Sequence, residues 1–541
     1  MKYLWLKMGI PFGSVICLAA ALLPMVHSAN IVFFFGVSSY SHRVAVWPLA
    51  EALAENGHNV SFISPYPAKN PNPKIFDYVP NALKTWLDGI GDAINVFEDR
   101  KTMSPLMGNM MLPIYGKMMC EEIYKDEEYI QWVKRTKVDV VMLDALANDC
   151  GYGMAFYWDA KVILMSTSAP FGHFSEVYGL PDETSWIPGM EIGIGNEMSF
   201  SQRTFNAVLP LFWYYYRTWF FFPKLYELTK DNLGITDLPN FEELERSTSL
   251  VFINTHYGEE YARSLPPNVV SVGGLGYTGK TKPLPEDIES FLEKGEDFIY
   301  MSFGTHAEFN KFDPPIRQAF IGAMRKLSHI QFVWKTDNVS LVEEFPNNNV
   351  YIRKWMPQQD ILAHPKIRAF ITHAGLLGIQ EAVYNSVPLI SFPIFAEQDA
   401  NAERIQSREY GIRLEITTVT QPEIEEAIQN ILTDPKYLNN MKRVSRMFID
   451  RPQKPLETAL WWTDFVIRHS KEDLSVLRPL SVDQSKWKRR QLDVWLTILA
   501  GVLISLFVSI YLIRVLVKCA YRVNTSSSKT SKSSTRKQKV K

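Results

Sequence analysis

The sequence predicts an α/β protein made of two doubly wound, Rossmann-like halves joined by a linker, followed by one C-terminal transmembrane helix. Three observations carry this reading. At 541 residues the chain is too long for one average domain, and its 46% hydrophobic content is enough for two cores. Strand-length apolar runs alternate with helix-period stretches on both sides of a Gly/Pro/Lys-rich break. Near the C-terminus, Trp495–Val517 is apolar except for Gly, Ser, Thr, Tyr and Arg514. As a helix it would extend about 35 Å, enough to cross a bilayer.

The elements follow in chain order. Lys2 and Lys7 precede the apolar run Ile16–Val26, and Ser28-Ala29 closes it with small residues, the pattern of a secretory signal peptide over 1–28. Ile31–Phe35 reads as a strand, Gly36–His42 as a polar loop and Val44–Asn56 as a helix stopped by Gly57. Val60–Ser64 is the next strand, completing a βαβ opening whose loop lies where open α/β sheets bind ligands. A second unit begins at Val138–Leu143. Met103–Lys230 is rich in Met and aromatic residues, most of all over 199–233, which suits an acceptor pocket, a membrane contact or ordinary core. The first half is thus expected over 29–274, with a linker over 275–295. Strands at Phe298–Ser302, Gln331–Trp334, Val350–Arg353, Ala369–Thr372 and Pro388–Ser391, with helices between, place the second half over 296–450. Residues 451–491 connect to the membrane helix over 495–517, and 518–541 form a basic tail expected to be disordered and cytosolic.

Composition narrows the function classes. A formal net charge of −1 gives no field that would favour nucleic acid. Of four cysteines, Cys17 and Cys519 lie at the terminal apolar runs. Cys120 and Cys150 remain, either as a disulfide in an oxidising compartment or as two independent buried thiols.

The chemistry-bearing stretch runs from Lys354 to Ala402, KWMPQQDILAHPKIRAFITHAGLLGIQEAVYNSVPLISFPIFAEQDANA. It holds a Trp–Gln pair, a His-Ala-Gly turn opening a helix, a helical Glu and a Glu-Gln pair. This resembles the nucleotide-sugar signature of the UDP-glycosyltransferase family, closest to its animal membrane-bound, insect-like branch. The resemblance implies the GT-B fold, two Rossmann-like domains facing a cleft. It implies that Trp355 stacks on uracil, for which an indole face is suited, and that Gln358 bonds nucleotide hydroxyls. His373 and Gly375 would meet the diphosphate, where helix amides form an anion site and the imidazole adds a hydrogen bond or positive charge. Glu381 would accept the ribose hydroxyls. Glu397 and Gln398 resemble the pair that holds the hexose, with Glu where the animal branch usually has Asp. Ser302 and Thr305 resemble the loop facing the diphosphate, and Arg263 matches a position near the donor sugar.

In the first half, Ser41-His42 matches the family's general base, and neutral imidazole has the right pKa near pH 7. Its supporting carboxylate would be Asp144 at the end of the Val138–Leu143 strand, with Asp149 as the fallback. No Asp-x-Asp and no zinc spacing appears, so the reading needs no metal and no cofactor; the UDP-sugar is a co-substrate. The implied activity is inverting transfer of a hexose, glucose before glucuronate, to a hydroxyl of a small lipophilic acceptor. The alternatives are a UDP-sugar-binding protein without turnover, or an enzyme acting on lipid or protein. The implied setting is the endoplasmic-reticulum membrane, single-pass type I, with the body lumenal, in contact with lipid and with room for a homo-oligomer. Lys537 and Lys539 resemble a dilysine retrieval signal. Of the sequons, Asn338 is expected to carry glycan, Asn59 to be poorly reached at the start of a buried strand, and Asn524 to stay bare beyond the membrane.

Overall fold

The computed structural model describes residues 28–93, 95–277 and 279–536. The signal peptide, but for Ser28, and the dilysine positions lie outside these residues. The chain divides after Pro479 into two units.

The first unit holds two parallel sheets. In the N-terminal half, β1 (Asn30–Phe34), β2 (Asn59–Ile63), β3 (Ile75–Tyr78), β4 (Val140–Asp144), β5 (Lys161–Ser166), β6 (Leu250–Ile253) and β7 (Val269–Ser271) are ordered β3-β2-β1-β4-β5-β6-β7. In the C-terminal half, β8 (Phe298–Ser302), β9 (Gln331–Lys335), β10 (Val350–Arg353), β11 (Ile367–Thr372), β12 (Leu389–Ser391) and β13 (Gly411–Arg413) are ordered β10-β9-β8-β11-β12-β13. Helices cover both faces, so strands such as VVMLD and FIYMS are buried end to end rather than alternating. The strand order reverses between β1 and β4 and between β8 and β11, which opens a crevice at the carboxyl ends of these strands. His42 and Asp144 follow or end the first pair; Ser302 and His373 end or follow the second.

Several local features differ from expectation. The first helix runs Tyr40–Glu55, so His42 lies in its first turn rather than in a loop; Ser39, in extended conformation, is its N-cap. The expected linker contains the helix Glu286–Leu292, whose Ile288, Phe291 and Leu292 are buried in the C-terminal half. The aromatic stretch forms the helices Phe200–Phe220 and Phe222–Leu233. Leu209, Trp213 and Tyr214 point inward, while Phe200, Phe205, Trp219 and Phe220 are exposed. Cys120 and Cys150 form a disulfide with Cα atoms 6.1 Å apart. Closing a loop of this size restricts the unfolded chain by about 3–4 kcal/mol.

The helix Pro455–Arg468 returns to the N-terminal half. Ala459 and Val466 join the cluster around Ile31 and Phe33, and Lys161 donates to the carbonyls of Val466 and Ile467 at 2.9 and 3.0 Å. In the second unit, the helix Leu492–Arg536 is long and apolar enough over Leu492–Ser526 to cross a membrane. It continues through most of the tail that composition marked as disordered.

Candidate active site

A cleft of about 720 Å³ is lined from both halves of the first unit. On the N-terminal side, His42 Nδ1 lies 2.8 Å from Asp144 Oδ2. Asp144 is buried and its other oxygen accepts the Leu146 amide at 3.1 Å, so the carboxylate is fixed from both ends. Burial pushes the His42 pKa down, but the charge of Asp144, its hydrogen bond and the charge of Glu397 outweigh this and raise it above the ordinary 6.5. Thr167 Oγ1 sits 3.0 Å from Nδ1 and 3.2 Å from Nε2. The sequence reading missed this residue, although the pairing of Asp144 with Met165 places Thr167 at the carboxyl end of the adjacent strand. Asp149 does not reach His42. It accepts from Arg217 at 2.6 Å in a buried cluster that includes Glu245.

On the C-terminal side, Trp355 is 47% exposed, whereas Trp334, on β9, is fully buried. An exposed indole in a cleft offers a face for a flat base; Tyr40 meets it edge-on and the Lys69 ammonium lies over the ring. Glu381 is buried, and its two oxygens accept from Gln358 at 2.6 Å and Gln359 at 2.8 Å. Burial raises its pKa while these amides lower it, with a net rise. Gln359 is a second residue the sequence reading passed over, although it adjoins Gln358.

His373 sits between two glycines that make room for it. A Cβ on Gly304, which has φ +81°, would come 2.8 Å from the imidazole, and one on Gly375 would come 2.6 Å from Nε2. The register pairs Ser302 with Thr372, which brings these two loops side by side. Gly375 caps the helix Leu376–Tyr384, whose N-terminal end faces the cleft with Thr305 and Ser302. Burial, Lys335 and His306 push the His373 pKa down to about 4, which favours the neutral imidazole. Lys335, the last residue of β9, also lines the cleft and donates to the Gly304 carbonyl. Burial and Lys69 lower the Lys335 pKa to about 8. Lys335 was missed because a lysine at a strand end carries no signal of its own.

Glu397 lines the cleft as the N-cap of the helix Gln398–Ser407 and feels the charge of His42. Burial raises its pKa. Gln398 is turned inward: its Oε1 accepts the amides of Ile394 and Phe395 at 2.9 and 3.1 Å, leaving only its Nε2 for a ligand. Arg263 does not line this cleft. It lines a separate cavity of about 80 Å³ with Glu260 and Arg404, and its nearest carboxylate is Glu260 at 4.0 Å. The apolar end of the cleft is lined by Trp86, Ile90, Met103, Leu112, Tyr115 and Met190. Among the described residues, none of 199–233 lines it.

Comparison with known proteins gives the family and the fold. The family described as "UDP-glucoronosyl and UDP-glucosyl transferase" matches residues 39–529. The chain is 28% identical to UDP-glucosyltransferase 2 of Dactylopius coccus over 461 residues, 84% of this chain and 87% of the relative. It is 28% identical to human UDP-glucuronosyltransferase 1A9 over 392 residues, 72% of each. Two solved structures share the GT-B fold. The glycotransferase of kitacinnamycin does so with TM-score 0.53 at 17% identity, covering 84% of this chain and 100% of that one. UDP-glucose: anthocyanidin 3-O-glucosyltransferase in complex with UDP does so with TM-score 0.51 at 17% identity, covering 82% and 100%.

Proposed function

The chain belongs to the UDP-glycosyltransferase family, and from that premise we propose that it transfers a hexose, glucose before glucuronate, to a hydroxyl of a small lipophilic acceptor. The observation that carries this is the His42–Asp144 pair standing at the cleft face opposite the donor residues. His42 Nδ1–H donates to Asp144, which leaves Nε2 to take the acceptor proton. The acceptor oxygen then bonds to the anomeric carbon as the bond from that carbon to the diphosphate oxygen breaks. A single displacement of this kind inverts the anomeric centre. The electron pair leaves on UDP, whose charge the Leu376–Tyr384 helix amides and Lys335 would stabilise. Trp355 would hold the base, Glu381 the ribose, and Glu397 with the Gln398 amide the sugar. The apolar wall of Trp86, Met103, Leu112 and Tyr115 supports a lipophilic acceptor. No step requires a metal.

Full-length chain in microsomes, offered radiolabelled UDP-glucose and UDP-glucuronate with a panel of phenols and alcohols, tests this. Glucoside formation is expected; transfer from UDP-glucuronate alone would reverse the donor order, and UDP binding without transfer would replace the reading with a binding function.

We further propose a type I topology in the endoplasmic-reticulum membrane with the body lumenal and touching lipid. The Cys120–Cys150 disulfide supports an oxidising compartment, and the Leu492–Ser526 helix supplies an anchor. Asn338, half-buried at the start of a 3₁₀ turn, should carry glycan. Asn59 is not shielded as its sequence suggested: it is exposed and donates to Asn30 at 3.0 Å. Endoglycosidase mapping that found glycan on Asn524 would invert the topology.

A further inference from the structure

The helix Val96–Thr102 belongs to the N-terminal half by its place in the sequence and to the C-terminal half by its packing. Phe97 is buried in the core of the second sheet, stacked on Phe312 with ring centroids 4.7 Å apart. Arg100 reaches the same half with its whole fork. Its Nη1 and Nη2 donate to the two oxygens of Asp399 at 2.5 and 2.9 Å, and its Nε and Nη2 donate to those of Glu415 at 3.2 and 2.6 Å. Arg413 braces Asp399 from the other side at 2.8 Å. The Arg100 and Asp399 side chains are 10% and 3% exposed, so solvent screens the pair little. Farther along, Asn109 Nδ2 donates at 3.4 Å to the carbonyl of Ala396, the residue before Glu397.

Two facts give this fastening a consequence. Asp399 lies two residues from Glu397, in the first turn of the helix that Glu397 caps. The fastened stretch also supplies Val96, Met103, Met111, Leu112 and Tyr115 to the apolar end of the cleft. The turn that would meet the sugar and the wall that would meet the acceptor therefore share one cation.

We propose that Arg100 is a positioning residue that couples occupancy of the sugar end of the donor site to the shape of the acceptor wall through Asp399. The proposal rests on the UDP-sugar reading above. A sugar held by Glu397 fixes the Ala396–Asp399 turn, the bidentate pair fixes Arg100, and Phe97 carries the constraint into the 96–115 segment. By linkage the effect is reciprocal: an acceptor that orders the wall must favour the sugar-bound turn by the same factor. Lysine could keep the charge but not the four-bond fork.

Hydrogen–deuterium exchange on the full-length chain in detergent tests this without requiring turnover. UDP-glucose should slow exchange in 354–382 and also in 96–115, while UDP alone should slow 354–382 with much less effect on 96–115. In Arg100→Gln the response at 354–382 should persist and that at 96–115 should fall at least about fivefold, the lower end of usual coupling factors. Unchanged protection of β1 and β4 would show the variant folded; if it does not fold, Arg100→Lys decides, with an expected response below half of the wild-type one. A wild-type-sized response at 96–115 in the variant that is read would overturn the coupling, as would silence at 96–115 in the wild type while 354–382 responds. Silence at 354–382 in the wild type would instead overturn the donor-site reading.

Discussion

The two halves wind their sheets in the same order and open at the same switch point, yet one gathers most of its proposed ligand groups and the other scatters them. On the C-terminal side, Trp355, Gln358, His373, Gly375, Glu381, Glu397 and Gln398 come from one continuous stretch. On the N-terminal side the same cleft is lined by separate segments around His42, Lys69, Trp86, Leu112 and Thr167. A base, a ribose and a diphosphate have fixed chemistry, and consecutive strand ends with helix amides suit them. An apolar wall needs only shape, and many loops can supply it. In the N-terminal half, the His42–Asp144 pair is fixed by direct contact at 2.8 Å.

The sharpest way to break this contrast is to remove that pair. His42→Ala should lower turnover about 10²–10⁴-fold while UDP binding measured by calorimetry stays within about twofold, because base and donor groups sit on different halves. Equal losses in both would erase the distinction. In the wild type, kcat/KM should rise with pH through a pKa above 6.5, since Asp144 and Glu397 favour the cation and only the neutral ring is a base. Asp144→Asn leaves burial without its counter-charge, so the limb should move to lower pH under a lower plateau. The same sign applies to stability: the pair's contribution is full below pH 6.5 and is lost as pH rises through the raised folded value.

On the gathered side, Glu381→Ala should raise the donor KM about ten- to hundredfold, since hydrogen bonds to a charged group contribute about 1.5–3 kcal/mol. Trp355→Ala should raise it about tenfold. In both variants the acceptor KM should change much less, and steady-state kinetics with each substrate varied in turn would show parallel increases if the halves were not separate. The smallest effect belongs to Glu397→Asp. Moving the carboxylate by about one bond length should change the glucose-to-glucuronate ratio a few-fold with little loss of total turnover. An unchanged ratio would take Glu397 out of sugar choice.

The same contrast governs what was legible. The donor stretch was readable because its spacing is local: eight residues from His373 to Glu381 carry the chain from a strand end into the next helix whatever surrounds them. The sequence put Asp144 first as the partner of His42 with Asp149 as the fallback, and packing keeps that order, since Arg217, far from Asp149 in sequence, bridges it to Glu245 in the fold. Packing also restricts Arg263 and Gln398, the first lining a separate cavity and the second keeping only its Nε2 free toward the cleft. Glu260 lies 4.0 Å from Arg263, and the Ile394 and Phe395 amides take the Gln398 oxygen, contacts that no local spacing announces. Thr167 and Lys335 were invisible because a strand's last residues acquire a role only from the strand beside them.

By itself the sequence determined two doubly wound parallel sheets, the donor stretch and a helix apolar enough for a membrane. Periodicity, hydropathy and motif spacing are properties of near neighbours in the chain, and near neighbours are what a sequence records. Tertiary structure decided which carboxylate contacts His42, that burial and Lys335 lower the His373 pKa, and that Arg100 crosses from one half to the other. Those outcomes depend on which distant groups share a low-dielectric interior, where a charge a few ångströms away outweighs anything written next to it in the chain.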